Sequence, residues 1–215
     1  MAAIRSLWKH TPGARVTLFD NSDMRPFVPF AGTGNIEVID NTRGQVVDWE
    51  RWLEQFTRKL KTYNGWGSAK HCWSVELCMD LLPGGFLLMD SDVLVKQDVT
   101  PFFDTRYAWS GQARHGYRTG QPGPMRVEPF LCYINTPLLR RNGIHYCDTG
   151  RIVHLTDKEP ERYYDTGASF WEDCMRKGLP GRELPLGEYI IHLGSASWKD
   201  RDAAAWLQQH KDLWQ

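Results

Sequence analysis

The chain has 215 residues, 41% of them apolar, enough for one sizeable core and a single domain over 1–215. Lys+Arg and Asp+Glu both number 26, so formal net charge is zero, which argues against nucleic acid, whose backbone requires a basic surface. No apolar run is long enough to span a membrane and MAAIRSLWKH lacks the apolar stretch of a signal peptide, so no transmembrane segment and a cytoplasmic location are expected.

Residues 2–10 read as a short helix stopped at Pro12-Gly13. ARVTLF (14–19) and NIEVID (35–40) read as strands, with Asp20-Asn21-Ser22 and Asp40-Asn41 at their ends. In VVDWERWLEQFTRKLK (46–61), Val47, Trp49, Trp52, Leu53, Phe56 and Leu60 fall near helical spacing, which predicts an amphipathic helix. SAKHCWSVELCMDLL (68–82) predicts another, closed by Pro83-Gly84-Gly85. FLLMD (86–90) is then a strand too apolar to have a wet face. RYAWSGQ and RVEPFLCYIN predict strands, with the Gly- and Pro-rich HGYRTGQPGPM between them as a loop. TPLLRRNG predicts a short helix, with Pro137 near its start and Gly143 after its end. GASFWEDCMRKG (167–178) predicts a helix, LGEYIIHLGSASW a strand running into a loop, and DRDAAAWLQQHKDLW a terminal helix. Strand–helix alternation in the first half predicts an α/β fold with a mostly parallel central sheet flanked by helices. Five cysteines without CxxC spacing are expected to be reduced and structural.

In open α/β sheets, ligands bind outside the carboxyl ends of the strands. Asp20, Asp40, Asp90 and Asp92 all fall at predicted strand ends, which gathers carboxylates on one rim. Such like charges are costly unless a cation compensates them. Oxygen ligands suit Mg²⁺ or Mn²⁺, ions that bridge carboxylates to a diphosphate. Asp90-Ser91-Asp92 therefore points to a divalent metal with phosphates on its far side; the bland alternative is a turn with two solvated aspartates.

Four blocks, LFDNSD, FLLMDSDVLV, YYDTGASFWEDCMRKG and YIIHLGSASW, resemble in order and rough spacing those of the GT-A glycosyltransferases, particularly those similar to family 2, over residues 14–198. The resemblance implies a GT-A fold. It implies transfer of a sugar from a nucleotide-diphosphate donor, a UDP-sugar, to a hydroxyl of a glycan or other acceptor. Surface or capsular glycan synthesis is the implied setting, with inversion at the anomeric centre. Asp20 would contact the base beside Asn21, and Lys70 would reach the nucleotide. Asp90 would lie near the ribose and a metal-bound water, with Ser91 next to it on the donor. Asp92 would ligate Mn²⁺ or Mg²⁺, and His192 would be a further metal or diphosphate ligand. Asp165 would be the catalytic base, with Glu172 and Asp173 as fallback bases. Trp198 and the Gly194-Ser195 loop would close over donor or acceptor. The family's opening strand, one wall of the base pocket, has no counterpart before residues 2–10.

Plainer roles stand beside these. Asp165 could cap the helix that follows it, His192 could be a structural histidine, and Lys70 a solvated helix residue. FLLMDSDVLV also fits haloacid-dehalogenase-type phosphatases, in which Asp90 would be the nucleophile that becomes phosphorylated. That reading leaves DTGASF and HLGSASW without a role. A nucleotidyltransferase would want a Gly-rich triphosphate loop with Arg and Lys, which the chain does not offer. A degenerate transferase would bind the nucleotide sugar without turning it over.

Overall fold

A computed structural model describes residues 1–22, 27–32, 34–54, 65–82, 84–118, 121–148, 151, 165–194 and 202–215. Helix α1 (Ala2–His10) leads into strand β1 (Val16–Asp20), which pairs in parallel with β2 (Ile36–Asp40). Their register sets Asp20 beside Asp40, so both strands end together. Helix α2 (Trp49–Glu54) starts at Asp48, whose carboxylate accepts from the N–H groups of Glu50 and Arg51 at 3.1 Å. Capping of this kind satisfies donors that the first helical turn leaves over. The rest of the expected amphipathic helix, from 55 onward, lies outside the described residues. Helix α3 (Gly65–Leu81) follows and is the longest of the described elements.

The sheet at the centre has four strands in the order β3 (Phe86–Met89), β8 (Leu131–Ile134), β5 (Trp109–Gly111), β9 (Gly181–Glu183). β3–β8 and β5–β8 are antiparallel; only β5–β9 is parallel. The expected mostly parallel sheet is therefore corrected to a mixed one. The alternation that predicted it stops after α3; later strands follow one another closely and pair antiparallel, and of the described ones only β5 and β9, with the helices Thr136–Arg141 and Ala168–Arg176 between them in sequence, run parallel. Two further pairs complete the described strands. β4 (Val93–Val95) pairs antiparallel with β10 (Ile190–His192). β6 (Ala113–Arg118) pairs antiparallel with β7 (Gln121–Val127), where a loop was expected.

Period-2 alternation shows how the central sheet is buried. On β8, Cys132 and Ile134 enter one apolar cluster while Leu131 and Tyr133 enter another. On β3, Phe86 and Leu88 pack on the first cluster, and Leu87 and Met89 on the second. Successive strand side chains point to opposite faces, so the sheet separates two cores. The first core receives Ala69, Cys72, Val75 and Met79 of α3, Leu139 of α4 (Thr136–Arg141), and Phe170 and Cys174 of α5 (Ala168–Arg176). The second receives Leu7 of α1, Val93 and Val95 of β4, and Ile190 of β10. Packing on both cores, with every side chain half-buried, is why FLLM carries no polar residue. All five cysteines are free. Among the described residues no helix is long and apolar enough to cross a membrane.

LGEYIIH was expected to be one strand. It splits into a single helical turn, α6 (Leu186–Tyr189), and β10, before the chain reaches Gly194. α7 (Ala203–Gln209) is the terminal helix, capped by Asp202 through the N–H of Ala205 at 2.9 Å.

Candidate metal centre

The turn Asp90-Ser91-Asp92 joins the central sheet to the β4–β10 pair and is tied at both ends. The N–H of Asp90 donates to the carbonyl of Phe130 at 3.0 Å, and the N–H of Leu193 donates to the carbonyl of Asp92 at 3.0 Å. The β4–β10 register places His192 opposite Val93, next to Asp92. Sheet pairing across a hundred residues of sequence thus delivers the histidine to the two aspartates.

One ligand atom from each of Asp90, Asp92 and His192 lies within 4.8 Å of the others. His192 Nε2 is 3.2 Å from Asp92 Oδ1. The side chains are 24%, 22% and 20% exposed respectively, reachable yet partly desolvated. Donor atoms about 2.1–2.5 Å from a common ion are about 3–4 Å apart, so this spacing suits one cation. Two carboxylates and an imidazole suit Mn²⁺ better than Mg²⁺, because nitrogen donors favour transition metals. Burial pushes the Asp90 carboxyl pKa up and the Asp92 charge adds to that, while His71, His192 and Arg126 act in the other direction. A bound cation would remove the same penalty.

The surrounding groups include several that the sequence did not single out. His71 on α3 places Nε2 3.7 Å from Asp90 Oδ1. The Phe130 ring stacks on the His192 ring with centroids 3.9 Å apart. Arg126 on β7 contacts Asp165 and lies 3.2 Å from Glu128, and Glu128, only 1% exposed, also pairs with Arg114. Glu128 could have been noticed as a charged residue just before Pro129 in an otherwise apolar stretch, since a buried carboxylate requires a partner. His71 carried no sequence signal beyond its place next to Lys70.

The expected site residues divide into groups. Asp90, Asp92 and His192 converge, with Ser91 exposed between the aspartates. Asp165 is not one of the three; it pairs with Arg126, whose charge is the smallest of the influences on the Asp90 carboxyl. Its carboxylate does not cap α5: Gly167 is the N-cap residue, and Asp165 Oδ1 accepts from the neighbouring Thr166 N–H at 2.8 Å. Glu172 and Asp173 lie elsewhere, held by Arg151 at 2.8 and 2.6 Å, with Arg176 2.7 Å from Asp173. Ser195 and Trp198 fall outside the described residues.

Asp20, Asn21 and Lys70 form a third group against α3. Asp20 is 1% exposed; its Oδ1 accepts from the Ser22 N–H at 3.0 Å and hydroxyl at 2.6 Å. Its Oδ2 is buried with no hydrogen-bond partner among the described residues. Lys70 Nζ sits 5.8 Å over the Trp49 ring. Asn21 donates to Ser74 Oγ at 3.2 Å and accepts from Asn41 at 2.9 Å and from the Trp49 indole N–H at 3.1 Å. Those bonds brace β1, β2 and α2 against α3. Asn21→Ala should therefore lower stability by about 1–2 kcal/mol in urea titrations, the cost of partly buried groups left unpaired. A fully stable variant would show that the brace is immaterial.

No protein-family model matches the chain, and no curated protein sequence matches it.

Proposed function

We propose that the protein is a metal-dependent glycosyltransferase of GT-A type. It would move a sugar from a nucleotide-diphosphate donor, a UDP-sugar, to a hydroxyl of a glycan or other acceptor, in the cytoplasm and in surface or capsular glycan synthesis. The observation that carries this reading is the meeting of Asp90, Asp92 and His192 at one strand-end turn. The four sequence blocks supply the reaction class, and the metal-ligand spacing is compatible with it. When bound, Mn²⁺ would act as a Lewis acid on the leaving diphosphate. Asp92 and His192 would hold it, with Asp90 at its edge. Asp20 Oδ2, a buried acceptor left over by Ser22, would take an N–H of the base. Asp165 would receive the acceptor's proton. Lys70, which lies over Trp49, would reach the nucleotide.

The test is a thermal-shift panel of nucleotide sugars with and without Mn²⁺, because a ligand of the native state raises its melting temperature by mass action. A UDP-sugar should shift the wild type only when Mn²⁺ is present. Asp92→Asn should lose that Mn²⁺-dependent shift. An equal shift in both proteins would sink the proposal. Hydrolysis of p-nitrophenyl phosphate, lost in Asp90→Asn, would instead identify the phosphatase alternative. Donor binding without turnover would identify the degenerate one.

A further inference from the structure

We infer that Arg114 is a phosphate-binding residue of this site, holding the diphosphate end of the donor. The inference rests on the metal centre proposed above for the identity of the anion, but its own grounds lie in the β6–β7 hairpin. The Arg114 guanidinium carbon lies 5.7 Å from the centre of the Phe130 ring, and that ring packs on His192 with centroids 3.9 Å apart and planes tilted by 36°. A cation therefore shares one aromatic ring with the histidine of the candidate metal centre. A guanidinium over an aromatic ring is attracted by the face of that ring, and its planar N–H fork matches phosphate oxygens in a way that an ammonium does not.

The hairpin also explains how the cation is kept in place. Arg114 and Arg126 are register partners across β6 and β7. Buried Glu128 contacts both: Arg114 through Nε, and Arg126 through Nη2 at 3.2 Å. Arg126 in turn is 13% exposed and holds Asp165, so its charge is spent internally. Arg114 is 55% exposed, and its bond to Glu128 uses Nε, which among the described residues leaves the terminal N–H groups for an anion. The two arginines thus differ in purpose: Arg126 is a positioning residue for Asp165, and Arg114 presents charge outward. A charge-assisted, bidentate contact is the strong form of hydrogen bond to phosphate.

The experiment is a calorimetric titration of the full chain with inorganic pyrophosphate, in Mn²⁺ and in metal-free buffer, alongside titration with Mn²⁺ alone. Arg114→Gln should weaken pyrophosphate binding by about tenfold or more, the loss of one charge-assisted contact. It should leave Mn²⁺ affinity unchanged. Arg114→Lys, which keeps the charge and loses the fork, should fall between the two; it serves if the glutamine variant melts early. Equal pyrophosphate affinity in wild type and both variants overturns the inference, as does a wild type that binds no pyrophosphate. If the wild type takes up no Mn²⁺ yet pyrophosphate binding still depends on Arg114, the metal centre fails and the phosphate site stands.

Discussion

Glu76→Ala should remove about 4 kcal/mol of folding stability, a large share of the margin of an ordinary domain. Glu76 lies on α3 with its side chain 7% exposed. Oε1 meets Arg140 Nη1 at 2.5 Å and His145 Nδ1 at 2.8 Å, and Oε2 accepts from the N–H groups of Tyr146 at 2.6 Å and Cys147 at 3.2 Å. One carboxylate thus holds the end of α4 and the loop after it against α3. That loop places the Tyr146 ring in the core, 5.1 Å from Phe170 between centroids. Removing the carboxylate orphans the buried Tyr146 N–H and takes from Arg140 its better-buried partner. Breaking a buried pair from one side costs about 3–5 kcal/mol. Arg140 is 28% exposed and keeps Asp80, which tells against the top of that range. Urea titration measures the loss; a change under about 1 kcal/mol would show that water replaces the carboxylate.

The same contacts set a pH dependence. Burial works to raise the Glu76 pKa, but hydrogen bonds from Arg140, His145 and the Cys147 N–H outweigh it and hold the value below the ordinary one. A depressed folded-state pKa means the unfolded chain takes up the proton first. The stabilisation is therefore fully present above the unfolded value of about 4.3 and is lost as pH falls through the folded value. The stability gap between wild type and Glu76→Gln should be widest at neutral pH and close in acid. A gap that widens in acid would reverse the sign of the argument.

Local pattern made part of this molecule legible. Alternation and apolar runs found β1, β2 and β3, and helical spacing found α1, α3 and α5 close to their observed bounds. Pairing direction was not legible, because an apolar run such as FLLM or LCYI looks the same in a parallel or an antiparallel sheet buried on both faces. The segment of β6 and β7 reads as a loop in sequence because Gly120, Pro122, Gly123 and Pro124 are turn formers, and the β6–β7 ladder carries a register shift between His115 and Tyr117. Each of Asp90, Asp92 and His192 could be picked out singly at a strand end. Their meeting depends on the Val93↔His192 register, which no local pattern encodes. Glu172 and Asp173 were plausible bases by their place after Asp165, but helix geometry and Arg151 take them into a separate ion-pair cluster. The roles of Arg126 and Arg114 depend on Glu128, which is buried between them and which no local pattern links to either.

Asp165→Asn should lower turnover by two orders of magnitude or more while donor and Mn²⁺ binding persist. A hydroxyl acceptor is a weak nucleophile at neutral pH, and a positioned base that takes its proton is worth roughly 10²- to 10⁴-fold. Asp165 is positioned: Oδ1 accepts from the Thr166 N–H at 2.8 Å, and Oδ2 pairs with Arg126. The asparagine keeps an oxygen for Thr166 and loses the charge that would receive the proton. It also loses the ion pair with Arg126, which retains Glu128; a fall of about 1–3 kcal/mol in stability is expected and separable from the kinetic effect. Glu172→Gln and Asp173→Asn, by contrast, should leave turnover unchanged, since Arg151 occupies both carboxylates away from the centre. If Asp165 takes the proton, direct in-line displacement follows, and the first-formed product carries the inverted anomer. Normal turnover by Asp165→Asn, or a retained anomer in the NMR spectrum of that first product, would remove Asp165 from the reaction.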